Sequence, residues 1–128
     1  MTIAETSRKY DLSSDTLRYY ERIGLIPSVN RNKSGIRNYT EEDCRWVEFA
    51  KCMRGAGVQI EALIEYVALF QQGESTAEAR REILAEQRRI LAERVDEMQK
   101  TLERLDRKIE RYESTIGKKE KELRGLEP

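Results

Sequence analysis

Between residues 8 and 37 the chain carries Arg8, Lys9, Arg18, Arg22, Arg31, Lys33 and Arg37 against Asp11, Asp15 and Glu21, a net +4. The full 128 residues balance to zero, with 24 Lys and Arg matched by 24 Asp and Glu, so this bias is local. Clustered guanidinium and ammonium groups suit a polyanion, and tyrosines at 19, 20 and 39 add groups that stack or hydrogen-bond. The second reactive set is two thiols, Cys44 and Cys52. With no histidine anywhere and no cysteine beyond Cys52, a soft-metal or iron–sulfur site lacks its ligands, and no cofactor or metal is expected. The same lack of histidine, a phosphate-binding glycine loop or a nucleophile with its base argues against an enzyme.

The elements that must position these groups follow from caps and spacing. Thr2 with Glu5 is a capping-box pair opening a short helix over about 3–9. Ser13 caps a second helix that turns Leu17 and Tyr20 inward and leaves Asp15, Arg18, Tyr19 and Arg22 accessible, with Gly24 as its stop. Two short helices joined by a tight turn have the form of a helix-turn-helix. Pro27 and the run Asn30 to Gly35, flanked by Ile26, Val29, Ile36 and Tyr39, predict a small two-stranded wing with a basic tip. Thr40 and Asp43 open a third helix with Trp46, Phe49, Ala50 and Met53 as its apolar stripe. A fourth helix follows, its inner face Ile60, Leu63, Ile64, Val67 and Phe70, ending at Gly73.

From Thr76 onward the apolar residues keep a heptad count. Leu84, Leu91, Met98, Leu105 and Tyr112 form one series, and Val95, Leu102, Ile109, Ile116 and Leu123 the other. Alternating steps of four and three predict a coiled-coil seam on one long helix. Forty residues at about 1.5 Å each make a rod of roughly 60 Å, which cannot bury its own stripe and so needs a second chain. Arg88 and Lys119 fall on seam positions and weaken the pairing at both ends. The heptads leave strand orientation open. The fold expected is mainly α: residues 1–39 a DNA-binding winged helix-turn-helix, 40–72 a two-helix coupling module, 76–123 a dimerisation helix and 124–128 a tail.

Thr16-Leu17-Arg18-Tyr19-Tyr20-Glu21, then Gly24-Leu25-Ile26-Pro27, then Gly35-Ile36-Arg37-Asn38-Tyr39 closely resemble the recognition helix and wing of the MerR family, and the order of the later helices is similar too. The resemblance implies a homodimer with an antiparallel coiled coil, bound to an inverted repeat in promoter DNA. It also implies that the regulator distorts the promoter for RNA polymerase when its effector is present, so that deformability contributes to specificity. On that frame Arg18 offers its guanidinium to guanine N7 and O6, with Tyr19 beside it and Arg22 one turn on toward phosphate. Thr16 supplies a hydroxyl at the helix start, and Arg31, Lys33, Arg37 and Tyr39 are the wing's candidates for the backbone. Tyr20 is expected in the core.

Lys51-Cys52-Met53-Arg54, with Gly57 and the string Ile60 to Tyr66, resembles the AdhR and NmlR branch of that family, linked to reactive aldehydes and nitrosative stress. The resemblance implies that Cys52 is the sensor thiol and that a small electrophile, an aldehyde or a nitrosothiol, is the effector. Physical chemistry agrees in part. Lys51 and Arg54 favour a thiolate at Cys52, but the C-terminal end of a helix opposes it. Cys44 has the better helix position but is surrounded by Glu41, Glu42 and Asp43. A helical wheel sets Cys44 nearly opposite the Trp46/Phe49/Met53 stripe and Cys52 at its border, so modification at Cys52 is expected to disturb packing more. The two thiols lie about 12 Å apart along one helix, too far for a disulfide.

Two other readings use the same residues: an architectural or recombination accessory protein that bends DNA without an effector, and a MerR-type regulator whose Cys52 is inert. No apolar run approaches the roughly 20 residues that cross a bilayer and no signal segment opens the chain, so a cytoplasmic protein with no membrane partner is expected.

Overall fold

The computed structural model describes residues 1–125; of the expected tail, residues 126–128 lie outside the described residues. Residues 1–91 and those from Ala92 on form two units. The first contains α1 (Ile3–Tyr10), α2 (Ser14–Arg22), α3 (Glu41–Gly55), α4 (Ile60–Gln72), a 3-10 turn at Glu74–Thr76 and the start of α5, which runs from Ala77 to Gly125.

Side chains that satisfy the first free N–H groups open the helices where expected. The Thr2 and Thr40 hydroxyls accept from the amides of Glu5 and Asp43, whose carboxylates reach back in two capping boxes. Ser13 Oγ accepts the Thr16 amide at 3.0 Å. Between α1 and α2 the chain reverses through Asp11 in the left-handed region, and after α2 through Gly24 at φ +81°, where a side chain other than glycine's is strained.

Leu17, Tyr20, Leu25, Ile26, Val29, Tyr39, Val47 and Leu63 make one core that joins α2, the wing and the pair α3 and α4. α1 packs on α2 and α3. The face that α3 turns into this core is Cys44, Val47 and Ala50. Of the stripe read from sequence, Ala50 is buried, while Trp46, Phe49 and Met53 pack partly buried against the core's edge. Trp46 and Phe49 instead meet α4: ring centroids lie 5.0 Å apart for Trp46 and Phe70 and 5.9 Å for Phe49 and Tyr66. α3 therefore has two apolar faces, small residues on one side and rings on the other. That overturns the expectation for the thiols: Cys44 is buried and Cys52 exposed.

The wing departs from the expected two strands. Its hairpin holds one isolated antiparallel bridge, Arg31 with Arg37, and no strand among the described residues. Asn32 contributes to this: its side-chain oxygen accepts the amides of Ser34 and Ile36 at 2.9 and 3.0 Å, and so diverts the Ile36 amide from the ladder. What fixes the wing is two carboxylates. Glu21 on α2 accepts the Val29 amide at 3.0 Å and Arg37 Nε at 2.7 Å, with side chains only 12% and 25% exposed in the ion pair. Asp43 on α3, 6% exposed, accepts the Asn30 amide, the Asn30 side-chain NH2 and the Thr40 amide at 3.2, 3.1 and 3.0 Å. Glu21 ties both sides of the hairpin to α2, and Asp43 ties its first side to α3.

Among the described residues the second unit is the continuation of α5. Val95, Met98, Leu102, Leu105, Ile109, Tyr112 and Ile116 along it are each more than half exposed. No helix among the described residues is long and apolar enough to cross a membrane.

Two predictions follow from burial. Glu21→Ala removes the acceptor of the buried Val29 amide and strands a mostly covered Arg37, so denaturant titration is expected to show a loss of about 2–4 kcal/mol. Tyr10, Tyr20 and Tyr39 have their pKa raised above 10.0, in each case first by burial. A raised folded pKa means that the unfolded chain loses these protons first. The stability they contribute is present below about pH 10 and lost as the pH rises through their folded values. Phenolate absorbance should show these three of the six tyrosines ionising late, together with unfolding.

Candidate nucleic-acid interface

One turn of helix brings residues i, i+3, i+4 and i+7 to a common face, so Asp15, Arg18, Tyr19 and Arg22 share one side of α2. All four are exposed. The opposite side carries Leu17 and Tyr20 into the core, at 0% and 7% exposure, which fixes the helix's rotation. Arg18 Nη1 donates to Asp15 Oδ1 at 3.0 Å, a pair in which the arginine side chain is 47% and the aspartate 96% exposed. The Arg22 guanidinium carbon sits 5.4 Å from the centroid of the Tyr19 ring, a cation–π contact that orders both side chains without hiding them. The Thr16 hydroxyl, half-buried at the helix start, shares a 2.7 Å hydrogen bond with Ser13.

Not every candidate from the wing is free to meet a ligand. Lys33 is exposed at the tip, and Arg31 is exposed while donating to the Gly35 carbonyl at 2.8 Å, which steadies the turn at Gly35 (φ +78°). Arg37 is held by Glu21, so much of its charge is spent inside the fold. Tyr39 is a correction. Its ring is 2% exposed and its hydroxyl buried without a hydrogen-bond partner among the described residues, so it packs the wing against the core instead of presenting its ring to a backbone. The wing ends by joining the body of the domain at this position, with the Tyr39 amide donating to the Met1 carbonyl at 2.7 Å.

Sequence reasoning named the exposed bases and missed the groups that aim them. Glu21 was visible as an acid in the basic stretch and the end of a motif, and Asp43 as the partner of Thr40 in a capping box and an acid near Cys44, neither as a clamp. A carboxylate's burial depends on distant backbone, here Val29 and Asn30, and neither partner has a local spacing signal.

In the coupling module, Trp46, Phe49, Tyr66 and Phe70 line an open cleft of about 330 Å³ with Glu42 and Arg45 on its lip. Arg80 lies 5.3 Å from the Phe70 ring centroid. Cys44 lies on the core side of α3 and touches Tyr10, while Cys52, eight residues on, faces solvent beside Met53.

Residues 1–69 match the family model described as MerR HTH family regulatory protein. The chain is 59% identical over 88 residues, 69% of this chain and 63% of the relative, to the HTH-type transcriptional regulator AdhR of Bacillus subtilis. The chain thus spans less than two thirds of that relative's length. Among solved structures it is similar to a MerR family transcriptional regulator from Listeria monocytogenes, with 51% identity, a TM-score of 0.93 and coverage of 98% and 96% of the two chains. It is also similar to HiNmlR, a MerR family regulator lacking the sensor domain and bound to promoter DNA, at 26% identity and a TM-score of 0.79 over 88% and 90% of the chains. The proteins it matches are transcription regulators and not enzymes. With its helix-turn-helix, its clamped hairpin and a family match over more than half of its length, this chain belongs to the MerR HTH family of regulatory proteins.

Proposed function

We propose that two copies of the chain pair through the α5 seam and bind an inverted repeat in promoter DNA, α2 of each entering the major groove. The observation that carries this is the exposed Arg18, Tyr19 and Arg22 face of α2 beside the exposed Arg31 and Lys33 of a hairpin held at fixed geometry. Arg18 reads guanine, Tyr19 a base edge or phosphate, and Arg22, Arg31, Lys33 and the hydroxyl of Thr16 grip the backbone. Arg37 positions the hairpin through Glu21 as well as adding charge. The apolar residues Leu84, Leu91, Val95, Met98, Leu102, Leu105, Ile109, Tyr112 and Ile116 form the interface between copies, because a seam left this exposed in water has an unmet burial requirement. The coils run antiparallel, and the dimer distorts the promoter so that RNA polymerase starts on genes of aldehyde or nitrosative stress. The protein works in the cytoplasm.

The effector in this reading is an electrophile, an aldehyde or a nitrosothiol, that modifies Cys52. Support for Cys52 now comes from access: it is the exposed thiol, and 59% identity to AdhR favours the same stimulus class. Exposure also favours a second reading, a regulator with an inert Cys52, since a modified surface side chain displaces little packing.

One set of measurements tests these statements. Against the duplex that the protein selects from random sequence, Arg18→Ala is expected to abolish the preference over a scrambled duplex. Lys33→Ala should lower affinity for both and reduce the salt slope by about one. Equal discrimination by Arg18→Ala and wild type would place the reading helix elsewhere. In transcription assays with formaldehyde or S-nitrosoglutathione, Cys52→Ser should remove the response and Cys44→Ser retain it; a response surviving in Cys52→Ser establishes the inert-thiol reading.

A further inference from the structure

Asp15 is a negative charge in the middle of a surface that must meet phosphates. Its side chain is 96% exposed, so the core does not require it, and it stands on the same face of α2 as Arg18, Tyr19 and Arg22. One oxygen accepts Arg18 Nη1 at 3.0 Å; the other has no hydrogen-bond partner among the described residues. The remaining N–H groups of Arg18 stay available as a fork.

We infer that Asp15 is a specificity-determining residue: its carboxylate holds Arg18 toward guanine and accepts the N4 amino group of a cytosine at the neighbouring base pair. The inference rests on α2 being the reading helix. Three physical facts lead to it. An arginine fork discriminates guanine only when its plane is held, and an i, i+3 carboxylate limits the rotamers of a long, half-exposed side chain. A carboxylate has only acceptors, so in the major groove it is satisfied by an amino group, and cytosine N4 is the partner that matches it. Where neither guanine nor an amino group is in place, the same charge faces phosphate and the acceptors of wrong bases, which repels the helix from non-cognate DNA. Arg18 and Asp15 then read two adjacent pairs as a unit. A helix-stabilising role is the simpler account of an acid in the first turn of α2, and it makes no prediction about bases.

The test compares full-length wild type, Asp15→Asn, Asp15→Ala and Arg18→Ala on the duplex selected by wild type from random sequence, on its single-pair substitutions and on a scrambled duplex, with thermal melts of each protein. An asparagine pairs bidentately with adenine. Asp15→Asn is therefore expected to shift the preference from cytosine to adenine at the pair beside the Arg18 guanine, changing the ratio about tenfold. Asp15→Ala should read that pair indifferently and bind the scrambled duplex as well as wild type or better. Unchanged preferences at that pair in both variants, with only the melting temperature lowered, reduce Asp15 to a helix stabiliser and overturn the inference while leaving the reading helix in place. If wild type selects no common sequence, or Arg18→Ala keeps its preference, the reading helix itself is wrong and the inference falls with it.

Discussion

Two carboxylates hold the first unit in the form that the rest depends on. A hairpin with a single bridge has little stability of its own, and beyond the core that Val29 and Tyr39 share with α2 it needs polar ties to the helices. Glu21 and Asp43 supply what is missing, one from α2 and one from α3, by accepting the amides of adjacent residues, Val29 and Asn30. Such charge-assisted bonds are strong where water is excluded, and costly to break because the donors they satisfy are covered. Wing, α2 and α3 thus become one body. A ligand that touches both α2 and the wing then meets them in fixed register, without an ordering cost at each binding event.

The same economy explains the distribution of charge. Over the whole chain acids and bases cancel, but Glu21 is neutralised by Arg37 and Asp43 is turned inward, while Arg18, Arg22, Arg31 and Lys33 face outward. The field at the surface is more positive than a count of residues implies. In α5 the balance differs: acids and bases alternate around a stripe of exposed apolar residues, a pattern that keeps a long helix in solution until its stripe is covered.

Much of this was legible in the sequence because the signals were local. Thr2 with Glu5, Ser13, and Thr40 with Asp43 act within one turn, α1, α2 and α3 begin where those caps place them, and α2 and α4 end at Gly24 and Gly73. The heptads of α5 are a repeating local pattern too. The failures came where three-dimensional neighbours decide. The stripe Trp46, Phe49, Ala50 and Met53 on α3 holds only one of its fully buried residues, Ala50; Cys44 and Val47 complete the buried face, and the two thiols exchange their environments. Ile36 and Tyr39 have strand-like character, yet Asn32 diverts the Ile36 amide from the ladder and Tyr39 turns into the core. The clamp itself joins Glu21 to Val29 and Asp43 to Asn30, pairs separated by 8 and 13 positions with no periodic trace.

The clamp matters most because a surface built from two separate segments acts as one only if they form a rigid object. Native-state amide hydrogen exchange measures it directly. The account predicts that the Val29 and Asn30 amides exchange as slowly as the core amides of α2 and α3, opening only with global unfolding. Exchange at both positions as fast as in an exposed loop, while the helices stay protected, would show a hairpin moving independently of the recognition helix and would contradict it.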